Sequence, residues 1–141
     1  MRIFLHEFIS GGGLFSLPGS PRPEGSLLAE GEAMLAALAR DFVRAGCRVT
    51  VLRDARLPEP GLTGVDIQLV SGPGHELARC LEIAAASDYT VLIAPELDRL
   101  LWKRCCAVRE VGRLLSPDAA FVELASSKHR TACRLSAAGV R

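Results

Sequence analysis

Hydrophobic and polar positions change period several times along the chain, and each change marks an element. Residues 2–10 hold a short apolar run, Ile3, Phe4, Leu5, Phe8 and Ile9, that stops at Gly11, Gly12 and Gly13. The run length and the glycine stop predict a strand and a tight turn, and the Pro, Gly and Ser content of residues 17–26 extends the turn into a loop. From Leu27 the period lengthens. Leu28, Gly31, Leu35, Leu38 and Phe42 recur every three or four residues, while Glu30, Glu32, Arg40, Asp41 and Arg44 fall elsewhere. This spacing predicts a helix of about five turns, capped at Ser26 and closed by Gly46.

Residues 47–52 are largely β-branched or apolar and end in Arg53-Asp54, which predicts a second strand. A Pro-rich connection leads to a third at residues 65–70, with Asp66 and Gln68 on one face. Ser71-Gly72-Pro73-Gly74 turns the chain into a helix near His75, whose apolar stripe is Leu77, Cys80, Leu81 and Ala84. Residues 89–94 form the most continuous β-prone run and are expected at a central position covered on both faces. A helix follows over residues 97–111, then a brief apolar segment at 119–124. A last short helix starts at Lys128, capped by Ser126 or Ser127 and ended by Gly139. Strands and helices therefore alternate, and the expected fold is an open, mostly parallel, Rossmann-like α/β sheet with helices on both faces.

Composition narrows the partners. With 141 residues and 49% hydrophobic positions the chain suffices for one domain, since about 150 residues bury roughly two thirds of the unfolded surface. Seventeen Lys/Arg against sixteen Asp/Glu leave a formal charge of +1, so no nucleic acid and no anionic membrane is expected as a partner. No apolar stretch reaches membrane-spanning length, and His6 and Glu7 interrupt the first one, so the expected location is the cytoplasm. Cys47, Cys80, Cys105, Cys106 and Cys133 show no ligand spacing. They are expected as buried free thiols, with no metal site.

In an open parallel sheet, ligands bind beyond the carboxyl ends of the strands. That edge should carry Glu7, Ser10, Gly11, Gly12 and Gly13 after the first strand, and Arg53 and Asp54 after the second. Ser71, Gly72 and Gly74 would follow the third, and Pro95 and Glu96 the fourth. The mixture suits a small zwitterionic or anionic ligand. The glycine run could cradle a phosphate through its N–H groups or be only a tight loop, and neither common nucleotide fingerprint is present. Arg53 could hold a carboxylate or pair with Asp54 at the surface. Glu96 could accept from an amine or sit in a helix first turn. No catalytic histidine, serine elbow or HExxH motif is apparent. Leu14 and Phe15 could serve a homodimer contact if exposed, or fold back onto the core.

Three stretches together carry a resemblance: Phe8-Ile9-Ser10-Gly11-Gly12-Gly13, the helix start Leu27 to Leu35, and Val51-Leu52-Arg53-Asp54. They resemble the amino-terminal region of an ATP-grasp ligase family, and look most like tyramine–glutamate ligases of methanofuran biosynthesis and their relatives in bacterial one-carbon metabolism. Leu124 through Val140 is similar to the segment that leads into the nucleotide-binding part of those enzymes. Lys128 is kept there, and Ser127 stands where an acidic residue or its amide is usual. The resemblance implies that residues 1–125 form a pre-ATP-grasp domain and that residues 126–141 lead into a grasp domain absent from this chain. It implies a carboxylate–amine ligase that uses ATP and Mg²⁺ bound mainly in that absent domain. No residue of this chain is then catalytic alone. Glu7, Ser10, Gly11, Gly12, Gly13, Arg53 and Glu96 would lie near substrate or phosphate.

Overall fold

The structure, a computed structural model, describes residues 1–95 and 97–140. Four strands, β1 (Arg2–Glu7), β2 (Arg48–Asp54), β3 (Val65–Val70) and β4 (Tyr89–Ile93), form one sheet in the order β3-β2-β1-β4. Every pairing is parallel. Helix α1 (Gly25–Arg44) joins β1 to β2, and α2 (His75–Ala86) joins β3 to β4. Helices α3 (Leu100–Arg109), α4 (Ala119–Ala125) and α5 (Lys128–Ala137) follow β4.

Side chains alternate across β1 and so divide the core in two. Ile3 and Leu5 join Val49 and Val51 under Leu35 and Ala39 of α1. Phe4 joins Leu52 and Val70 on the other face, beneath Cys80 and Ala84 of α2 and Val108 of α3. Helices therefore cover both faces, which confirms the open, mostly parallel α/β architecture. Residues 55–64 cross from β2 to β3 without a helix, on the α1 side, where Leu62 packs with the α1 cluster.

The run at 89–94 is not central. β4 is an outer strand, while β1, the less β-branched run, lies inside and is buried from Ile3 onward. The outer edge of β4 is closed instead by residues 113–115: Thr90 N–H donates to Arg113 O at 2.8 Å and Leu115 N–H to Thr90 O at 2.8 Å. The run is nonetheless apolar throughout because β4 is covered on both faces: Tyr89 and Val91 pack with the α1 cluster and Leu92 with the α2–α3 cluster.

Three boundaries also move. Helix α1 starts at Gly25, after Glu24, with no side-chain cap from Ser26. β2 extends through Asp54, so Arg53 and Asp54 lie within the strand. Helix α3 begins at Leu100 because Asp98 and Arg99 adopt φ of 46° and 59°, left-handed backbone that a helix cannot use. The apolar segment at 119–124 is helix α4, and α5 is capped by the Ser127 hydroxyl accepting from Arg130 N–H.

Candidate functional site

The carboxyl edge of the sheet is organised by the turn that follows β1. Phe8 N–H donates to Ile93 O at 2.9 Å, extending the β1–β4 pairing past Glu7. The Glu7 carboxylate is buried and turns inward, accepting from Ile9 N–H at 2.9 Å and Ser10 N–H at 2.6 Å. Gly11 N–H donates to Glu7 O, Gly13 N–H to Phe8 O, and Ser10 O accepts from Asp54 N–H at 2.7 Å. Of the four successive N–H groups from Ser10 to Gly13, three are thus engaged inside the turn. A phosphate cradle needs several of them pointing outward together, and this turn does not supply that.

The glycines are explained by contact instead. A Cβ on Gly11 would lie 2.4 Å from Glu7 O and 2.8 Å from the His6 ring, and one on Gly13 would lie 2.3 Å from the Phe8 ring. Gly12 has φ of +91° and would strike Val70. Gly31 of α1 belongs to the same contact, since its Cβ would stand 2.6 Å from the Glu7 carboxyl carbon. Two stretches separated in sequence, the glycine run and the start of α1, are therefore linked through the Glu7 side chain.

Arg53 is buried at 3% exposure. Its Nε and one terminal nitrogen donate to Pro58 O at 3.1 and 2.6 Å, and the other donates to Glu32 of α1 at 2.6 Å. Asp54 is fully buried and is held by Arg56 through three hydrogen bonds. Arg53 and Asp54 consequently have separate partners. The Arg56 guanidinium lies 3.8 Å above the buried Phe15 ring, which does fold back onto the core.

Two hollows of about 360 Å³ flank Arg53. One is lined by Glu32, Pro58 and Leu62, the other by Ala55, Leu57 and Leu69. A larger hollow of about 730 Å³ lies at the opposite, amino-terminal edge, but its charged residues are exposed or half-buried, and Arg2 and Arg79 already pair with Asp88 and Glu82. The Arg53 region is the better candidate because a desolvated guanidinium stands between its two hollows. Glu96 lies outside the described residues.

A third group was not anticipated as a unit. His6 of β1 meets Glu76 of α2, Nε2 to Oε1 at 2.7 Å, and the other Glu76 oxygen accepts from Arg104 of α3 at 2.5 Å. Cys80, one helical turn after Glu76, completes a set of potential ligands lying within 4.8 Å of one another. The sequence held one clue, a glutamate at i−4 from Cys80 on the buried face of α2. The three elements are too far apart in sequence for it to be read.

This group does not fit Mg²⁺, which takes oxygen ligands and retains water. Nor is it poised for a softer ion. Burial raises the Cys80 thiol to about 12, with the Glu76 charge adding to the effect, and the Arg104 guanidinium already neutralises Glu76. Burial pushes the Glu76 carboxyl up, but the His6 hydrogen bond and the His6 and Arg104 charges outweigh it and hold the group below its ordinary value. The arrangement is a buried ion network joining β1, α2 and α3. No disulfide joins the cysteines: Cys80 and Cys105 are buried, Cys47 and Cys106 partly so, and Cys133 is exposed rather than buried. Among the described residues, no helix is long and apolar enough to cross a membrane. Neither the turn nor the ion network is shaped to hold ATP or Mg²⁺.

Comparison with curated proteins gives no match. Over 97% of its length the chain superposes on a candidate ATP-grasp superfamily protein from Archaeoglobus fulgidus, with a TM-score of 0.72 and 22% identity. That likeness establishes a shared fold, and the chain spans 40% of that protein's length. The pre ATP-grasp 3 domain matches residues 47–122, from the start of β2 into α4. With more than half of its residues in that match, the chain belongs to the pre ATP-grasp 3 domain family.

Proposed function

We propose that this chain is the substrate-side, amino-terminal domain of an ATP-dependent carboxylate–amine ligase and is inactive alone. Family membership over residues 47–122 carries the reading. The inward-facing glycine turn supports it, because a domain that leaves nucleotide and Mg²⁺ to a following grasp fold has no need of its own phosphate cradle. Residues 1–125 form the pre-grasp domain in this reading, and residues 126–141, with Lys128 opening α5, lead into the grasp domain. The substrates are a small carboxylate and a small amine, with a tyramine–glutamate type of pairing as the model suggested by the resemblance, and the reaction is cytoplasmic.

Glu7, Ser10, Gly11, Gly12 and Gly13 would act from beneath, fixing the floor of the substrate edge, whereas Arg53 would fix the 58–60 loop beside the acceptor hollow. Glu96 is the group proposed to meet the amine. Arg53 is thus a positioning residue. In the assembled enzyme, Arg53→Ala is expected to raise KM for one substrate more than it lowers kcat; unchanged kinetics for both would remove its role. The reading as a whole is tested on the parent gene product by ADP release coupled to amide formation. Loss of both when residues 1–125 are deleted is expected. A parent protein with no grasp domain, or one that forms the amide without residues 1–125, would contradict it.

A further inference from the structure

β3 is an outer strand whose only edge protection is the single charge of Asp66. Sheet edges are normally blunted by lysine, proline, a bulge or a covering element. Residues 65–70 contain neither lysine nor proline and pair with β2 without a bulge, from Val49↔Val65 to Asp54↔Val70. The direction of the backbone groups follows from one bond. Val70 O accepts from Ala55 N–H at 2.9 Å, on the β2 side. Backbone groups alternate along a strand, so those of Asp66, Gln68 and Val70 serve β2, and those of Val65, Ile67 and Leu69 point away from the sheet. Among the described residues, no hydrogen bond outside the sheet ladder uses them.

We propose that two copies of this chain pair through β3, antiparallel about a two-fold axis at Ile67, and so join two four-stranded sheets into one. The sequence of the strand selects both partner and register. With Ile67 opposite the partner's Ile67, Val65 faces the partner's Leu69 and Asp66 faces the partner's Gln68. One face becomes a continuous apolar row, and on the other each carboxylate meets an amide. Within one chain the Gln68 amide already donates to Asp66 at 2.9 Å and its carbonyl accepts from Arg79 at 2.9 Å, which leaves the second amide hydrogen for the partner's Asp66. Centring the axis on Asp66 would oppose two carboxylates, and centring it on Gln68 would set Asp66 against the partner's Val70. Of these three registers the Ile67 one alone satisfies both faces, and it makes the central pair a hydrogen-bonded one, each Ile67 donating and accepting. It also covers Leu69, 65% exposed at the rim of the hollow shared with Ala55, Leu57 and Ile67.

Sedimentation equilibrium across a wide concentration range tests this on the 141-residue chain, together with two variants. Ile67→Pro removes an N–H that faces away from β2, which an edge strand tolerates. Leu69→Lys alters an exposed side chain and supplies the lysine that edges normally carry. The wild type is expected to reach the mass of two chains at the upper concentrations, and both variants to remain at one. Leu69→Lys should keep the wild-type circular dichroism, so it decides the matter even if Ile67→Pro folds poorly. A wild type that stays monomeric throughout, or a folded Leu69→Lys that dimerises as the wild type does, would overturn the proposal.

Discussion

The Glu7 carboxylate ties the glycine turn to α1, and Gly31 shows how closely. Replacing Gly31 with alanine has two opposed effects. Helix propensity favours alanine by about 1 kcal/mol, but the new methyl would stand 2.6 Å from a carboxyl carbon already fixed by two N–H groups, and overpacking of that kind costs about 1–3 kcal/mol. The clash should win, so Gly31→Ala is expected to lower the thermal midpoint; a raised midpoint would mean that Glu7 can move. In the ion network, Glu76→Gln leaves the Arg104 guanidinium uncompensated at 11% exposure, and breaking such a buried pair costs about 3–5 kcal/mol. The pH dependence has a definite sign. Because the folded Glu76 pKa is depressed, its contribution is complete above the ordinary value of 4.5 and is lost as pH falls through the folded value. Urea unfolding as a function of pH should therefore show a wild-type decline below about 4.5 that is shallower in Glu76→Gln. Thiol labelling gives an independent check: exposed Cys133 should react at once, and Cys80, buried and raised to about 12, only on unfolding. At this scale the glycine run was legible as a turn, because composition reveals glycine. Its cause was not, since each glycine answers to a neighbour that only the fold supplies.

Elements were more readable than their placement. Period changes located the four strands to within a few residues, and β3 was bounded at 65–70 as observed. What failed was rank within the sheet. The apolar continuity of β4 suggested an inner strand, yet it is outer and is screened by residues 113–115, a contact too short to leave a periodic signal. Helix α3 starts late for a comparable reason. Arg99 is held in left-handed backbone while its guanidinium rests 4.0 Å from the Trp102 ring and bonds Glu123 of α4, and sequence spacing does not report that strain. The cap of α5 was legible, because serine before a helix has a local mechanism. Ser127→Ala should weaken α5 by about 1 kcal/mol. None of its residues is buried, so the loss should appear as faster hydrogen exchange of the first-turn amides with little change in the global midpoint. Unchanged exchange there would show that the cap bond at 3.3 Å contributes nothing.

For the molecule as a whole, the parallel order β3-β2-β1-β4 gathers the strand ends named from sequence onto one edge, as the alternation of elements implied. The edge differs from the expectation in chemistry rather than in location. Glu7 and Arg53 face inward, and the N–H groups of the turn are largely satisfied. A domain so arranged supplies shape to a substrate edge and leaves the nucleotide to another fold, which is the division of labour proposed for this family member. Calorimetric titration of the 141-residue chain with ATP and Mg²⁺ tests that division most directly. The account predicts no saturable heat up to millimolar nucleotide, with or without the metal; stoichiometric binding to this chain alone would contradict it.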